Sequence, residues 1–193
     1  MPTPTNDIIL VISGSLRRGS YNTMLARAAI SLASKCPMEL ASIREIPLYD
    51  GDVEAQGMPP AVTALKERIA GARGLVLVTP EYNNSVPGVL KNAVDWLTRP
   101  GSDIGRVFGE LPVGIIGATP GPGGTRLGQT AWLPVLRQLG CQPFFGKILH
   151  VANAGAVFDA DGKVIDEKIA KLLGAYVDAF TTVALATSRP ASK

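Results

Sequence analysis

Five continuous apolar runs alternate along this chain with segments of helical periodicity, and this alternation limits the possible folds more than any other feature. Runs that are hydrophobic throughout, rather than at every second residue, are typical of strands covered on both faces by helices. They span residues 8–13, 38–43, 74–80, 112–118 and 146–152. The order predicts one α/β domain over residues 1–193, with residues 1–6 and 187–193 as loose tails.

The segments between the runs predict the helices and, through them, the position of a binding site. The apolar spacing from Ile165 to Val183 predicts a long C-terminal helix, and residues 127–139 predict a helix bent at Pro134. Right-handed crossovers leave two main strand orders, the flavodoxin-like order 2-1-3-4-5 and the Rossmann-type order. In both, ligands bind beyond the carboxyl ends of the strands, so we expect the site in the loops after the first, third and fourth strands.

Composition argues against several classes of function. The net charge is +3, but the basic residues are scattered without interleaved aromatics, which argues against nucleic-acid binding. Cys36 and Cys141 lie far apart and His150 is the single histidine, so we expect no metal site and a structural role for His150. We find neither a signal segment nor a run long enough to span a bilayer, and therefore expect a cytoplasmic protein without membrane insertion.

The loop GSLRRGSYNT, Gly14–Thr23, predicts a phosphate site without hydrolytic chemistry. It lacks the GxGxxG and GxxxxGK[ST] patterns of nucleotide-binding loops, and it has no cysteine nucleophile. Hydroxyl groups and backbone N–H groups leading into a helix suit a phosphate monoester, and an arginine adds a permanently charged fork. Helix capping explains one of these residues but not the set. The predicted phosphate contacts are Ser15, Arg17, Ser20, Asn22 and Thr23, whereas we expect Arg18 to face solvent.

The segment TPEYNNSVPGVLKNAVDWL, Thr79–Leu97, is the most specific in the chain. Together with GSLRRGSYNTMLAR and with IPLYDGD at Ile46–Asp52, it resembles the NADPH-dependent FMN reductase family, in particular its bacterial quinone and chromate reductase members. The resemblance covers nearly the whole chain. It implies a flavodoxin-like five-stranded parallel sheet in the order 2-1-3-4-5, noncovalently bound FMN, and NADPH or NADH as electron donor for small-molecule acceptors such as quinones, flavins, chromate or azo compounds.

The resemblance also implies further site residues. The loop after the third strand would run along the flavin ring through Pro80, Glu81, Tyr82, Asn83 and Ser85. The loop after the fourth strand would contact the other side of the ring through Thr119, Gly123 and Gly124. Arg126 matches an arginine of related quinone reductases, and with Tyr82 it is a candidate for contact with NADPH or substrate; a plain surface position for Arg126 is an equal alternative. We expect Asp95 and Trp96 to be structural.

The resulting hypothesis is ping-pong hydride transfer, in which FMN carries the chemistry and no catalytic side chain is required. Two alternatives remain open, a flavodoxin-type electron carrier and a nucleotide-sensing protein without turnover. The carrier is disfavoured because Glu81 is the only acidic residue in the three loops. Family members cover the flavin by association, so we expect a homodimer or homotetramer, with Leu48–Pro60 and Leu97–Leu111 as candidate interface segments.

Overall fold

A parallel sheet forms the centre of the protein, whose computed structural model describes residues 7–189. Of the predicted tails, 1–6 and 187–193, residues 1–6 and 190–193 lie outside this range. The strands are β1 (Ile9–Ser13), β2 (Met38–Ala41), β3 (Gly74–Val78), β4 (Pro112–Ala118), β5 (Gln142–Pro143) and β6 (His150–Val151). Their order is β2-β1-β3-β4-β5, with β6 also paired to β4, and every pairing is parallel. The flavodoxin-like order is confirmed, and the Rossmann-type order is excluded.

The last strand is split, which corrects the prediction of one strand over residues 146–152. β5 pairs with the beginning of β4, and β6 pairs with its end. Between them, Phe144 turns into the core and packs edge-on against Tyr176 and Phe180, whereas Phe145 and Ile148 are mostly exposed. Within the predicted run itself, Leu149 and Val151 are buried but Ile148 is 68% exposed, and periodicity alone cannot distinguish that mixture from a buried strand.

Nine α-helices surround the sheet in the described part of the chain. They are α1 (Tyr21–Ser31), α2 (Gly51–Ala55), α3 (Pro60–Ala70), α4 (Gly88–Leu97), α5 (Ile104–Phe108), α6 (Arg126–Ala131), α7 (Leu133–Gln138), α8 (Ala154–Val157) and α9 (Glu167–Ala186). The predicted bent helix is two helices that meet at Trp132, two residues before Pro134. The proline therefore occupies the first turn of α7, where its missing N–H costs no hydrogen bond.

Helices cover both faces of the sheet, as the continuous hydrophobicity of the strands predicts. On one face, side chains from α3, α4, α5 and α7 pack against Leu10 and Leu77. On the other, side chains from α1, α8 and α9 pack against Val11 and Val76. α9 is long and apolar enough to cross a membrane by length and composition, with a mean hydropathy of 1.4. Here it packs one face against the sheet, through residues that include Phe180, in the manner of a core helix.

One of the two candidate interface segments belongs partly to the core. Val107 and Phe108, within Leu97–Leu111, are fully buried because α5 packs against α3. The sequence predicts a loop-like region here, but Val107 and Phe108 are buried on a helix within the subunit and are not available to an interface. In the other segment, Leu48 and Val53 are exposed.

A buried lysine connects α3 to the turn before α5. The Lys66 side chain is 5% exposed, and its ammonium group donates hydrogen bonds of 2.5 Å to the Arg99 carbonyl and to the Asp103 carboxylate. Asp103 also accepts a hydrogen bond from Arg106. The hydrogen bond from Lys66 is the main cause that lowers the pKa of Asp103 below its ordinary value, against the opposing effect of partial burial.

Asp103→Asn is expected to reduce stability by roughly 1–2 kcal/mol at neutral pH, and by less in acid. Because the folded-state pKa of Asp103 is lowered, its contribution is fully present above the unfolded value of about 3.9 and is lost as the pH falls through the folded value. Urea unfolding at several pH values from 7 to 2 should therefore show the variant and wild-type curves converging in acid. Asp178→Asn, at a carboxylate 55% exposed, is the matched control; a pH-independent deficit for Asp103→Asn would contradict this assignment.

Arg189 anchors the described end of the chain, although the sequence predicts a loose tail from residue 187 onward. Its guanidinium group donates hydrogen bonds of 3.0–3.4 Å to six carbonyl oxygens, those of Ile69, Ala70, Ala72, Arg106, Val107 and Gly109. These oxygens lie at or just after the C-terminal ends of α3 and α5, where carbonyls lack helical partners and carry partial negative charge. One cation therefore satisfies the ends of two helices.

Arg189→Ala is expected to lower the free energy of unfolding by about 2 kcal/mol, since several partly buried carbonyls lose a charged donor. Arg189→Lys should recover only part of this loss, because an ammonium group cannot match the planar fork of donors. Urea unfolding measures both variants. Arg137→Ala, on the exposed side of α7, removes the same charge and should leave stability within about 0.5 kcal/mol of wild type. Equal stability of the two alanine variants would refute the anchoring role.

Candidate functional site

The three loops predicted to form the site enclose one crevice at the carboxyl edge of the sheet. Its volume is about 270 Å³. Eight predicted site residues line it: Ser15, Arg17, Ser20, Asn22, Pro80, Glu81, Tyr82 and Thr119. The remaining ones lie outside its lining: Thr23, Asn83, Ser85, Gly123, Gly124 and Arg126. The structure therefore brings residues from all three loops together, as the strand order requires.

Gly14 allows the first loop to leave β1 close against the second loop. A Cβ atom at this position would lie 2.9 Å from Cδ of Pro80 and 2.9 Å from Cδ2 of Leu90. The N–H of Gly14 also donates to the carbonyl of Val78 at 2.8 Å. The glycine thus permits close contact between two loops of the site.

The start of α1 presents unpartnered hydrogen-bond donors to the crevice. Ser20 is 2% exposed, yet its hydroxyl group has no hydrogen-bond partner among residues 7–189. The N–H groups of the first helical residues, Tyr21 to Thr23, also lack a backbone acceptor there. Arg17 lies 5.8 Å from the centre of the Tyr21 ring and forms no ion pair within the described range. A hydroxyl without a protein partner, free helical N–H groups and a cation together fit a phosphate group.

The side chains of Asn22 and Thr23 have partners other than the predicted phosphate. The Asn22 amide donates to the carbonyl of Ala118 at 2.8 Å and accepts from the N–H of Ala118 at 2.9 Å, which ties α1 to the end of β4. The Thr23 hydroxyl lies 2.9 Å from the hydroxyl of Ser13. These two residues can still contribute their backbone N–H groups to an anion.

The second loop contains a tight turn with two left-handed residues at its tip. Asn83 and Asn84 have φ angles of 51° and 61°, and Tyr82 and Ser85 exchange backbone hydrogen bonds of 3.1 and 3.0 Å. Positive φ at both central positions defines a type I′ turn, for which asparagine is well suited. The N–H of Asn83 has no protein acceptor within the described range. The turn presents Tyr82, 51% exposed, beside the crevice.

Glu81 connects the second loop to the third. Its carboxylate accepts the N–H of Gly128, in the first turn of α6, at 2.9 Å. Gly128 leaves room at this contact, since a Cβ there would lie 3.1 Å from Cβ of Glu81, closer than ordinary van der Waals contact. A second buried link joins the indole N–H of Trp132 to the Thr79 hydroxyl at 3.0 Å. The side chain of Glu81 is therefore engaged in positioning the loops.

The third loop is folded closely over His150. Gly124 has a φ of 64°, and a Cβ at this position would lie 2.7 Å from Cβ of His150. Burial, assisted by the charge of Arg126, lowers the pKa of His150 below its ordinary value, so the imidazole is neutral at pH 7. Arg126 itself is exposed at the start of α6. Gly123 and Thr119 complete the loop, in which Thr119 bonds to Val151 through its N–H at 2.9 Å.

The structure explains why two separate motifs occur together in the sequence. The carbonyl of Pro47, in IPLYDGD, accepts hydrogen bonds from the Asn92 amide at 2.8 Å and from the Trp96 indole at 2.9 Å. The side chain of Asn92 also accepts the N–H of Tyr49 at 2.8 Å. Both donors belong to the LKNAVDW segment of α4. Trp96 is fully buried, and Asp95 pairs with Lys91 on α4, which agrees with the structural roles expected for both.

Comparison with known proteins identifies the family. The sequence model of the NADPH-dependent FMN reductase family matches residues 8–156 of this chain. The chain belongs to this family. It is 42% identical over 166 residues to an NAD(P)H-dependent FMN reductase of Pseudomonas aeruginosa, covering 86% of this chain and 88% of the relative. It is 40% identical over 175 residues to a quinone reductase of Escherichia coli (strain K12), covering 88% and 85%.

A solved structure agrees with this membership. FerB, a flavoenzyme NAD(P)H:(acceptor) oxidoreductase from Paracoccus denitrificans, matches with a TM-score of 0.82 at 35% identity, over 93% of this chain and 97% of that one. The prediction of an oxidoreductase of the FMN reductase family that uses FMN and NAD(P)H is confirmed. The unpartnered donors at the start of α1 fit the phosphate of that cofactor.

Proposed function

We propose that this protein passes two electrons from NAD(P)H to quinones and free flavins by a ping-pong sequence, with FMN held noncovalently in the crevice. The observation that carries the proposal is the phosphate cradle at the start of α1. There, the unpartnered Ser20 hydroxyl, the free helical N–H groups and the unpaired Arg17 lie after the end of β1. Quinones as acceptors are supported by the E. coli relative, which is named a quinone reductase.

Each residue of the cradle has a physical role in holding the cofactor. The Arg17 guanidinium neutralises phosphate charge and is held in place by stacking on Tyr21. Ser15 and Ser20 line the same crevice and supply hydroxyl donors. The N-terminus of α1 adds the positive end of the helix dipole. None of these groups transfers a proton or forms a covalent bond, so their role is to bind and orient.

The second loop has a different role, at the redox-active ring. When bound, FMN supplies the redox chemistry by accepting hydride from the nicotinamide and delivering electrons to the acceptor. The type I′ turn fixes the N–H of Asn83 without a protein acceptor, and such fixed donors stabilise negative charge without reorganisation. Tyr82 offers an exposed aromatic face at which a nicotinamide or a flat acceptor can stack. One shared docking face requires the donor to leave before the acceptor binds.

The site does not favour the electron-carrier alternative. Glu81 is the only acidic residue that lines the crevice, and its carboxylate is bonded to the N–H of Gly128. The unpaired charge in the crevice is therefore the cation of Arg17. A carrier of low potential requires surroundings that disfavour a negatively charged flavin, whereas a cation and free N–H donors favour it.

Steady-state kinetics tests the proposal. The purified protein should show the absorbance of bound FMN and should oxidise NADPH or NADH with 1,4-benzoquinone or riboflavin as acceptor. Double-reciprocal plots at several acceptor concentrations should be parallel, as ping-pong kinetics requires. Intersecting lines would refute the ping-pong order, and FMN bound without turnover would refute the reductase. Chromate and an azo dye, assayed in the same way, test the wider acceptor range.

We also propose that two copies associate around the crevice as a homodimer, alone or within a homotetramer. Large apolar side chains are exposed on the surface, Leu48 in the candidate interface segment at 81% and Leu127, just after the third loop, at 52%. Such exposure is typical of a surface that a partner covers. Light scattering of the FMN-loaded protein tests this, and a monomer at micromolar concentration would contradict it.

A further inference from the structure

A second cavity, of about 410 Å³, lies beside the crevice, between the loop after β1 and the end of β2. Ser15 and Arg17 line both cavities, so the two are neighbours. We name the second cavity the basic groove, and define it by Arg17, Arg18, Arg27 and Arg44 above an apolar floor that includes Leu40 and Ile43. Arg27, Arg44 and the apolar floor have no role in the phosphate cradle or in the second and third loops of the site.

The charge of the basic groove is not neutralised by the protein. No aspartate or glutamate lines it. None of its four arginines forms a salt bridge with residues 7–189, whereas seven other lysine and arginine side chains in that range do. The net charge of the whole chain is only +3, so positive charge is concentrated here. Four like charges around one cavity repel each other, and a bound anion relieves that repulsion.

The arginines of the basic groove are placed on different elements around it. Arg44 donates a hydrogen bond of 2.6 Å to the carbonyl of Leu16, which holds its guanidinium against the first loop. Arg27 projects from α1, and its side chain makes no hydrogen bond within the described range. Guanidinium groups match phosphate oxygens in pairs. Leu40, 38% exposed although it lies on a strand, gives an apolar surface on which a flat base can rest.

We propose that the basic groove binds the phosphorylated adenosine part of a dinucleotide. Two sources have this chemistry: the adenosine 2′-phosphate end of NADPH, and the adenylate half of flavin adenine dinucleotide, whose other phosphate would occupy the cradle. Naming NADPH as a source rests on the proposed function, whereas binding of the adenosine fragment does not. Free phosphate satisfies the arginines but leaves the apolar floor unused, so the groove should prefer the nucleotide.

Calorimetry with 2′,5′-ADP on the FMN-saturated protein tests the groove without turnover. Arg27→Ala and Arg44→Ala should each weaken binding by about tenfold, the loss of one charged hydrogen-bonding partner. Arg27→Ala measures the loss of groove charge alone, whereas Arg44→Ala also removes the hydrogen bond that supports the first loop. Arg137→Ala removes an exposed charge elsewhere and should change the dissociation constant by less than about twofold. Equal binding by Arg27→Ala, Arg44→Ala and wild type would overturn the proposal, as would inorganic phosphate binding as tightly as 2′,5′-ADP.

Two further measurements on Arg27→Ala distinguish the sources. If NADPH occupies the groove, kcat/KM should fall at least about fivefold more for NADPH than for NADH. If flavin adenine dinucleotide occupies it, the affinity of the apoprotein for that flavin should fall more than its affinity for FMN. If neither of these two changes is observed, the assignment of the groove to a dinucleotide is overturned. A wild-type protein that binds 2′,5′-ADP but oxidises neither NADPH nor NADH would refute the proposed function and leave the groove in place.

Discussion

Gly117→Ala is expected to lower the free energy of unfolding by more than about 3 kcal/mol and to prevent retention of FMN. Gly117 lies near the end of β4, where the second and third loops meet. A Cβ atom there would lie 2.2 Å from the carbonyl oxygen of Thr79 and 2.2 Å from the hydroxyl oxygen of Thr125. The first of these atoms belongs to the backbone and cannot rotate away. The strand or the loop must therefore move, and either movement disturbs the crevice.

Gly174→Ala is the matched control, because the same methyl group is added where nothing lies within 4 Å. Gly174 is in the middle of α9, where alanine is the better helix former, so stability should rise by about 0.5–1 kcal/mol. Urea unfolding followed by tryptophan fluorescence measures both variants, and the absorbance of bound flavin measures FMN retention. A Gly117→Ala protein with wild-type stability and bound FMN would show that the loops adapt to the added atom.

The position of the site could be predicted from the sequence because it depends on strand order and strand ends. The β1 and β3 runs are buried in every residue, which is why their continuous hydrophobicity locates them well. Once the order is 2-1-3-4-5, the loops that begin at Gly14, Pro80 and Thr119 must lie at one edge. The residues that line the crevice follow from that placement.

The partners of individual side chains could not be predicted in the same way. Asn22 is suited by type to phosphate binding, yet it pairs with Ala118, which is 96 residues away in the chain. Arg27 and Arg44 are ordinary surface residues in the sequence, one on a helix and the other after a strand, and only the fold makes them line one groove. Contacts of this kind depend on tertiary geometry, which local pattern does not contain.

Arg17→Ala is expected to weaken FMN binding by about 30- to 100-fold. The variant loses a charged, two-pronged contact with phosphate, whereas Ser20 and the start of α1 remain. Arg17→Lys should recover part of the affinity, since a lysine restores the charge but not the planar fork or the same stacking on Tyr21. Fluorescence titration of the apoprotein with FMN gives the dissociation constants.

Two comparisons show whether such a loss arises at the phosphate. Riboflavin lacks the phosphate group, so its affinity for Arg17→Ala should differ from its affinity for wild type by less than about threefold. Added salt screens the attraction between Arg17 and phosphate, so it should weaken FMN binding less in the variant than in wild type. Urea unfolding of the apoprotein should change by less than about 1 kcal/mol, because Arg17 forms no ion pair within the described range and loses only its contact with Tyr21. If riboflavin and FMN lose affinity equally, Arg17 acts by shaping the loop, and the cradle must then hold phosphate through Ser20 and the helical N–H groups alone.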